Sequence, residues 1–596
     1  MPVSRIIPQT EHADVVTHVL LVNGEELSRS IPVLSVDIRK EVNKIPFARI
    51  RIGDGDASLE DFPLSNQEQL IPGNEIEIRI GYRSDNTNLF RGIIVTHSNR
   101  ITAGRTELVI ECRDQAVKMT LGRKNKHFEE VTNADIAEEI IGRYGLEKEI
   151  ESSAYQYREA VQFNTTDWDF ILSRMDRTGR ICLVEDGKII IRKPDLSASA
   201  VLDVLFGATI IEYQADIDAR EQLAVVKART WDYSNQELAE NTADDPGLPE
   251  TGNLSPDSLS EVIGLEEYLL HGGGKTDPAV LKEWADARLL KSRLSKVRGH
   301  VKFHGFAGVK PGDFITLNGV GERFSGAVFV SSVRQEYSEG NWLTTIHFGA
   351  AGEWFSEQVN PYHLSARSGC FPSVQGLQIG VVTDLEDPLG EYRVKVRLPL
   401  VNIAEEGLWI RVATLDAGAD RGTFFRPELG DEVIVGFLHD DPDHPVILGM
   451  LHSSALPAPL EATNSNPEKG YVSRAGTRMI FNDEDKSVVV KTPSGKSITL
   501  DENADTVSAA DEHGNTIKME ASGITIESAA SLKLKAATDI KLEAVNILLS
   551  PSSQFGVSAG ASEIKMGAGS AEVKSASVKI NGSGLTEIKG GLVKIN

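Results

Sequence analysis

Apolar and polar residues alternate along much of this chain, and the alternation is most regular in its last quarter. There, apolar residues come in pairs split by one polar residue: Ile524 and Ile526, Leu532 and Leu534, Ile540 and Leu542, each pair eight residues after the one before. The rhythm continues more loosely through Ile547/Leu549, Ile564/Met566, Val578/Ile580 and Val593/Ile595. Alternation at period two predicts strands with one apolar face. The Gly, Ser, Ala, Asn and Lys residues between the pairs suit tight turns. Two or three apolar side chains do not offset the entropy of ordering such a strand, so it must stack on copies of itself. A single chain that visits every face of a β-helix needs about twenty residues per coil. An eight-residue step covers one face. Three chains, each supplying one face, would close a three-sided prism, and residues 471–596 are expected to form an intertwined trimeric β-helix. Its core would be Ile524, Ile526, Leu532, Leu534, Ile540, Leu542, Ile564, Met566, Val578 and Ile580. The alternative is a β-sandwich of short strands. The lack of any Trp or Tyr after Tyr471 weighs against it.

Upstream, residues 15–125 alternate as strands (Ala48 to Ile52, Ile76 to Ile80, Leu108 to Ile110) separated by Asn23-Gly24, Pro72-Gly73-Asn74 and Ala103-Gly104. They predict a barrel or curved sheet. Helices are expected near 133–145, with Asn133 as N-cap; near 166–178, carrying Trp168, Ile171, Leu172 and Met175; and at 278–295, with Asp277 as cap and Pro278 at the first position. The polar stretch Ser234 to Ser260 predicts a loop or mobile insertion. A second β-rich unit follows from Gly299 to Phe355. Residues 374–455 predict a separate five-stranded Greek-key barrel of the OB type. The fold class is therefore mainly β with a few helices. The expected domains are 1–365 with two barrel-like units, 366–455 as the OB barrel, 456–470 as linker and 471–596 as the needle.

At 596 residues the chain exceeds one core. Its formal charge of −25 lies upstream of the needle and argues against nucleic acid or an anionic membrane as the main partner. Three cysteines, Cys112, Cys182 and Cys370, make neither a disulfide framework nor a metal spacing. The first residues lack a signal-peptide pattern, so synthesis in the cytoplasm and export by some other route are expected.

Two motifs suggest chemistry. His271-Gly272-Gly273-Gly274-Lys275-Thr276 lacks the first Gly of a phosphate loop, so it is expected to be a flexible lead-in to the helix at Asp277. His439-Asp440-Asp441-Pro442-Asp443-His444 offers metal-ligand types without a supporting motif, and a solvated hairpin turn is expected there. No catalytic, cofactor or metal residue is assigned.

The 374–455 block carries Gly380-Val381-Val382-Thr383-Asp384, Arg393-Val394-Lys395-Val396, Trp409-Ile410-Arg411-Val412, Pro427-Glu428-Leu429-Gly430-Asp431-Glu432-Val433 and Pro445-Val446-Ile447-Leu448-Gly449. In that order these resemble the OB-fold of VgrG spike proteins of contractile injection machines. Cys112-Arg113-Asp114, Asp167-Trp168-Asp169-Phe170 and Val309-Lys310-Pro311-Gly312-Asp313 resemble the hub of that family, and Thr492-Pro493-Ser494-Gly495-Lys496 the start of its needle. The resemblance implies a homotrimeric hub and spike without enzymatic activity or cofactor. Its partners would be a hexameric Hcp-like inner tube, baseplate proteins and possible effector cargo, with the target membrane met only on firing. A PAAR-repeat tip protein would dock on Leu592, Val593, Ile595 and Asn596, where an apolar pair leaves the prism open. The particle would be a type VI or phage-tail-like apparatus, acting outside the cell or in the target envelope. Two other readings are a trimeric tail-fibre adhesin and a spike with cell-wall hydrolase activity.

Overall fold

Alternating Ile and Val residues set the first layer. Ile50 and Ile52, Ile76, Ile78 and Ile80, and Leu108 and Ile110 all lie buried on one side of their strands, while the residues between them face outward. In this computed structural model, which describes residues 15–232, 237–272, 276–359, 374, 376–399, 401 and 406–595, the chain divides into two compact units, 1–457 and 458–596. The first unit is built on a thirteen-stranded sheet. Strand Val33–Glu41 pairs antiparallel with Gly326–Ser338, so the early and late β-rich stretches share one sheet instead of forming independent units. Arg334 clamps that seam, donating from Nε and Nη2 to the two carboxylate oxygens of Asp37 at 2.9 Å each.

Helices α1 (Asn133–Gly142) and α2 (Asp167–Arg177) bury Ile136, Ile140, Phe170, Ile171 and Met175 in a second core. The cap of α1 is Thr132, one residue before the expected Asn133. Thr132 Oγ1 accepts from Asp135 N while Asp135 returns a bond to Thr132 N, a reciprocal box that Asn133 cannot make from inside the helix. Thr166 caps α2. The stretch Ser234 to Ser260, expected as a loop, holds structure from Glu237 onward, with 234–236 outside the described residues: strand Glu237–Thr242 pairs with Val226–Asp232, and α3 (Pro256–Ile263) ends on Gly264 at φ 70°. His271 is the last residue of strand Tyr268–His271, which pairs parallel with Val226–Asp232, so it is not part of a free lead-in. Gly273, Gly274 and Lys275 lie outside the described residues. Helix α4 (Pro278–Leu294), capped by Asp277, buries Leu281, Trp284 and Leu289.

Strands Gln378–Asp384, Val394–Arg397, Leu408–Val412, Glu432–Phe437 and Pro445–Met450 close a barrel around Val382, Val394, Val396, Ile410, Val433, Val435 and Ile447. The barrel is not a separate block. Val161 and Phe163, from strand Gln156–Thr165 of the preceding region, pack into its core. The turn His439 to His444, expected to be solvated, is so only in part, and its centre is buried. Asp441 is 1% exposed. Asp443 accepts from Val161 N at 3.2 Å and faces Arg174, itself 1% exposed, at 3.6 Å. The same guanidinium donates to Asn133 Oδ1 at 2.8 Å and lies over the Tyr157 ring. Burial pushes the Asp441 carboxyl up, against the pull of His444 and Arg177. The acidic turn thus sits against Arg174 and Arg177 of the preceding region.

Candidate assembly surface

The second unit opens with seven short strands in sequence order, Glu468–Val472, Arg478–Asn482, Ser487–Lys491, Ser497–Asp501, Thr506–Ala510, Thr516–Glu520 and Gly523–Glu527, each antiparallel to the next. Five-residue strands joined by tight turns give a narrow meander. At one of those turns Gly495, at φ 103°, lets the chain reverse while its N–H donates to Thr492 O at 3.0 Å.

Register lines up two uninterrupted rows across this sheet. One runs Tyr471, Met479, Val490, Ile498, Ala509, Ile517 and Ile526. The other runs Phe481, Val488, Leu500, Val507, Met519 and Ile524. Members of the two rows are two residues apart on each strand, so both rows share one face. The row between them, on the other face, passes from Ile480 and Val489 to Thr499, Ser508, Lys518 and Thr525. The apolar face lies open in the single chain: Ile498, Phe481, Leu500, Met519, Ile526 and Ile524 are all exposed, Ile524 by 69%. Each such side chain gains about 1.5–3 kcal/mol when fully buried, and a contiguous open stripe of this kind marks an association surface.

The ten expected needle-core residues divide by local structure. Ile524 and Ile526 end the two rows. Ile564 and Met566 sit on strand Ser562–Gly567 of a three-stranded sheet, opposite Val557 and Phe555. Leu532, Leu534, Ile540, Leu542, Val578 and Ile580 lie outside any strand of the single chain and are exposed. Six of the ten therefore occur where the described chain makes no ladder with itself. An eight-residue step also occurs inside a ladder, because strands Gln554–Ala559, Ser562–Gly567 and Ser570–Lys574 begin eight residues apart and pair in order. Leu592, Val593 and Ile595 are also exposed, and Asn596 lies outside the described residues.

Among the described residues no group of three or more His, Cys, Asp or Glu stands together as a metal site, and no helix is long and apolar enough to cross a membrane. Cys112 and Cys182 are buried free thiols that burial holds well above their usual range.

Residues 12–339, more than half of the chain, match the family model of the Alg8 N-terminal domain. The chain belongs to that family. Residues 378–452 of this family member match a second model, the type VI secretion system/phage-baseplate injector OB domain. The type VI secretion system spike protein VgrG1a of Pseudomonas aeruginosa is 30% identical over 173 residues, which cover 26% of this chain and 27% of that protein. The spike protein VgrG3 of Vibrio cholerae is 34% identical over 126 residues, 19% of this chain and 12% of that protein. The chain thus spans about a quarter or less of the length of these relatives. A chain of the half-lidded Francisella PdpA–VgrG complex superposes with a TM-score of 0.49 at 8% identity, covering 86% of this chain and 88% of that one. The resemblance to VgrG spike proteins and the mainly β fold with an OB barrel are borne out by the injector model and the curated relatives.

Proposed function

We propose that this chain is the puncturing spike of a contractile injection apparatus and acts as a homotrimer. The two apolar rows on one open face of the 468–527 meander carry this reading. A single layer of five-residue strands has no core of its own, and three copies turned face inward supply one. The pairs Leu532/Leu534, Ile540/Leu542 and Val578/Ile580 find no ladder in their own chain, and two neighbouring copies supply the missing edges. Stiffness follows, because no chain leaves without breaking contact with both others. The injector OB match and the VgrG relatives support the setting. In this reading residues 1–365 meet the inner tube and baseplate and the OB barrel forms the collar. A PAAR-type tip protein docks on Leu592, Val593, Ile595 and Asn596. The role is mechanical, with no bond made or broken by the chain. The protein is made in the cytoplasm and leaves with the particle.

Light scattering on the full chain and on a version ending before Tyr471 tests the reading. A full-length trimer that dissociates on truncation is expected. A full-length monomer would overturn it.

A further inference from the structure

One row of side chains crosses the outer face of the thirteen-stranded sheet. Strand Val297–His304 lies antiparallel between Glu212–Ile217 and Asn341–Phe348, and beyond the latter come Gly326–Ser338 and Val33–Glu41. Register sets Gln214, His300, His347, Ser332 and Glu41 opposite one another in turn. Cross-strand partners share a face. The alternate residues Val301, Phe303, Ile346 and Phe348 are buried in the core beneath, so His300 and His347 project the other way, and His347 is exposed.

These two histidines are direct partners on neighbouring strands. Their ring centroids lie 5.7 Å apart with the planes inclined at 43°, so the rings meet without stacking. Two imidazoles bound to one tetrahedral zinc ion keep their centroids about 5–6 Å apart, given metal–nitrogen bonds of about 2.0–2.1 Å. A carboxylate also stands against the first ring. His300 Nε2 lies 3.2 Å from Glu212 Oε1. An ionised carboxylate only accepts, so the ring proton belongs on Nε2 and the Nδ1 lone pair is left over. Carboxylates hold metal-bound histidines in just this manner, through the nitrogen that does not touch the metal. Ser331 donates to the backbone carbonyl of His347, and among the described residues no hydrogen bond occupies its ring nitrogens.

The nearby cations are already matched. Lys302 Nζ donates to Glu212 Oε2 at 2.8 Å, Arg39 and Arg334 both reach Asp37, and Lys44 pairs with Glu41. A divalent ion at the histidine pair therefore meets cations that each have a carboxylate partner.

We propose that His300 and His347 hold one divalent ion of the zinc class, with Glu212 fixing the tautomer of His300. Only the two histidines bind the ion directly, and water fills its other positions. Imidazole nitrogens suit Zn²⁺, Cu²⁺ and Ni²⁺, whereas Mg²⁺ and Ca²⁺ take oxygen ligands. The ion ties strand Val297–His304 to Asn341–Phe348 across the row. The site lies within one chain, so it stands or falls apart from the trimer reading.

Zinc binding is measured by competition with a chromophoric chelator, on the untagged full chain with Cys370→Ser to remove a competing thiol. One zinc equivalent per chain is expected. His300→Gln and His347→Gln should each lose it, with circular dichroism confirming that both variants fold. Glu212→Gln should keep it with an affinity about tenfold weaker. His304→Gln, on the same strand and the same face, should bind as the parent chain does. A parent chain that binds no zinc overturns the proposal. So does an equivalent that survives His300→Gln or His347→Gln, or one that His304→Gln removes, because the ion then sits elsewhere. Unchanged affinity in Glu212→Gln overturns the part given to that carboxylate.

Discussion

The backbone N–H of Trp409, on the barrel, donates to the carboxylate of Glu159, on strand Gln156–Thr165, at 3.3 Å. Burial raises this carboxyl to about 7, with Glu129 adding to the rise and the Trp409 N–H, Arg393 and Lys395 opposing it. Below about pH 4.5 the group is protonated both folded and unfolded and has no effect. Between 4.5 and 7 the unfolded chain gives up its proton while the native chain keeps it, so stability falls as pH rises, then levels off above 7. The total is on the order of 3 kcal/mol. Urea unfolding of the 1–457 unit should give a lower midpoint at pH 8 than at pH 5 from this group. Glu159→Gln should flatten that part of the profile, and an unchanged slope would show that the carboxyl is not held in this way.

Arg174 should be the most sensitive side chain where the barrel meets the preceding region. Arg174→Ala leaves Asp443 and Asn133 without their partner and removes a guanidinium that covers two rings. Breaking a buried ion pair from one side costs about 3–5 kcal/mol. Arg174→Met, which fills the space but not the charge, should lose nearly as much while Asp443 remains. The double change Arg174→Met with Asp443→Asn should recover part of it. Equilibrium denaturation of all three variants decides this.

Ile498→Asp places a carboxylate in the middle of one apolar row. Three copies would bring three such charges to one level of a dry core, which is prohibitive without partners. Trimer yield by size-exclusion chromatography should collapse. Thr499→Asp, one residue along and on the opposite face, should leave the yield within about twofold. The same loss is expected for Leu534→Asp, whose side chain has no other shelter in the single chain.

Gly407 precedes barrel strand Leu408–Val412 at φ 106°, and a Cβ there would run into the Val396 carbonyl oxygen. Gly407→Ala must therefore move backbone as well as adopt a left-handed φ. A loss of about 2 kcal/mol or more is expected, read as a lower unfolding midpoint in urea. A neutral result would mean that the loop before the strand yields easily.

The β class of the fold and the OB barrel were legible because they are written locally. Period-two alternation in Ile76 to Ile80 or Val433 to Val435 assigns a strand face without reference to anything distant, and Thr166 and Asp277 announce helix starts within three residues. The long-range pairing was not legible. Nothing in Asp37 announces Arg334, almost three hundred residues on, because a salt bridge across a sheet seam leaves no spacing in the sequence. The acidic turn at Asp441 read as solvated for the same reason: its partners Arg174 and Arg177 arrive from another part of the chain. The last quarter divides along the same line. Its sequence determined that short strands with an apolar face must find more of their kind, since two or three side chains cannot order a strand alone. Only the tertiary structure decided that residues 468–527 first pair with one another as a meander. Antiparallel neighbours satisfy the backbone within one chain, but a single layer cannot bury both rows of side chains, so that face stays open in the single chain.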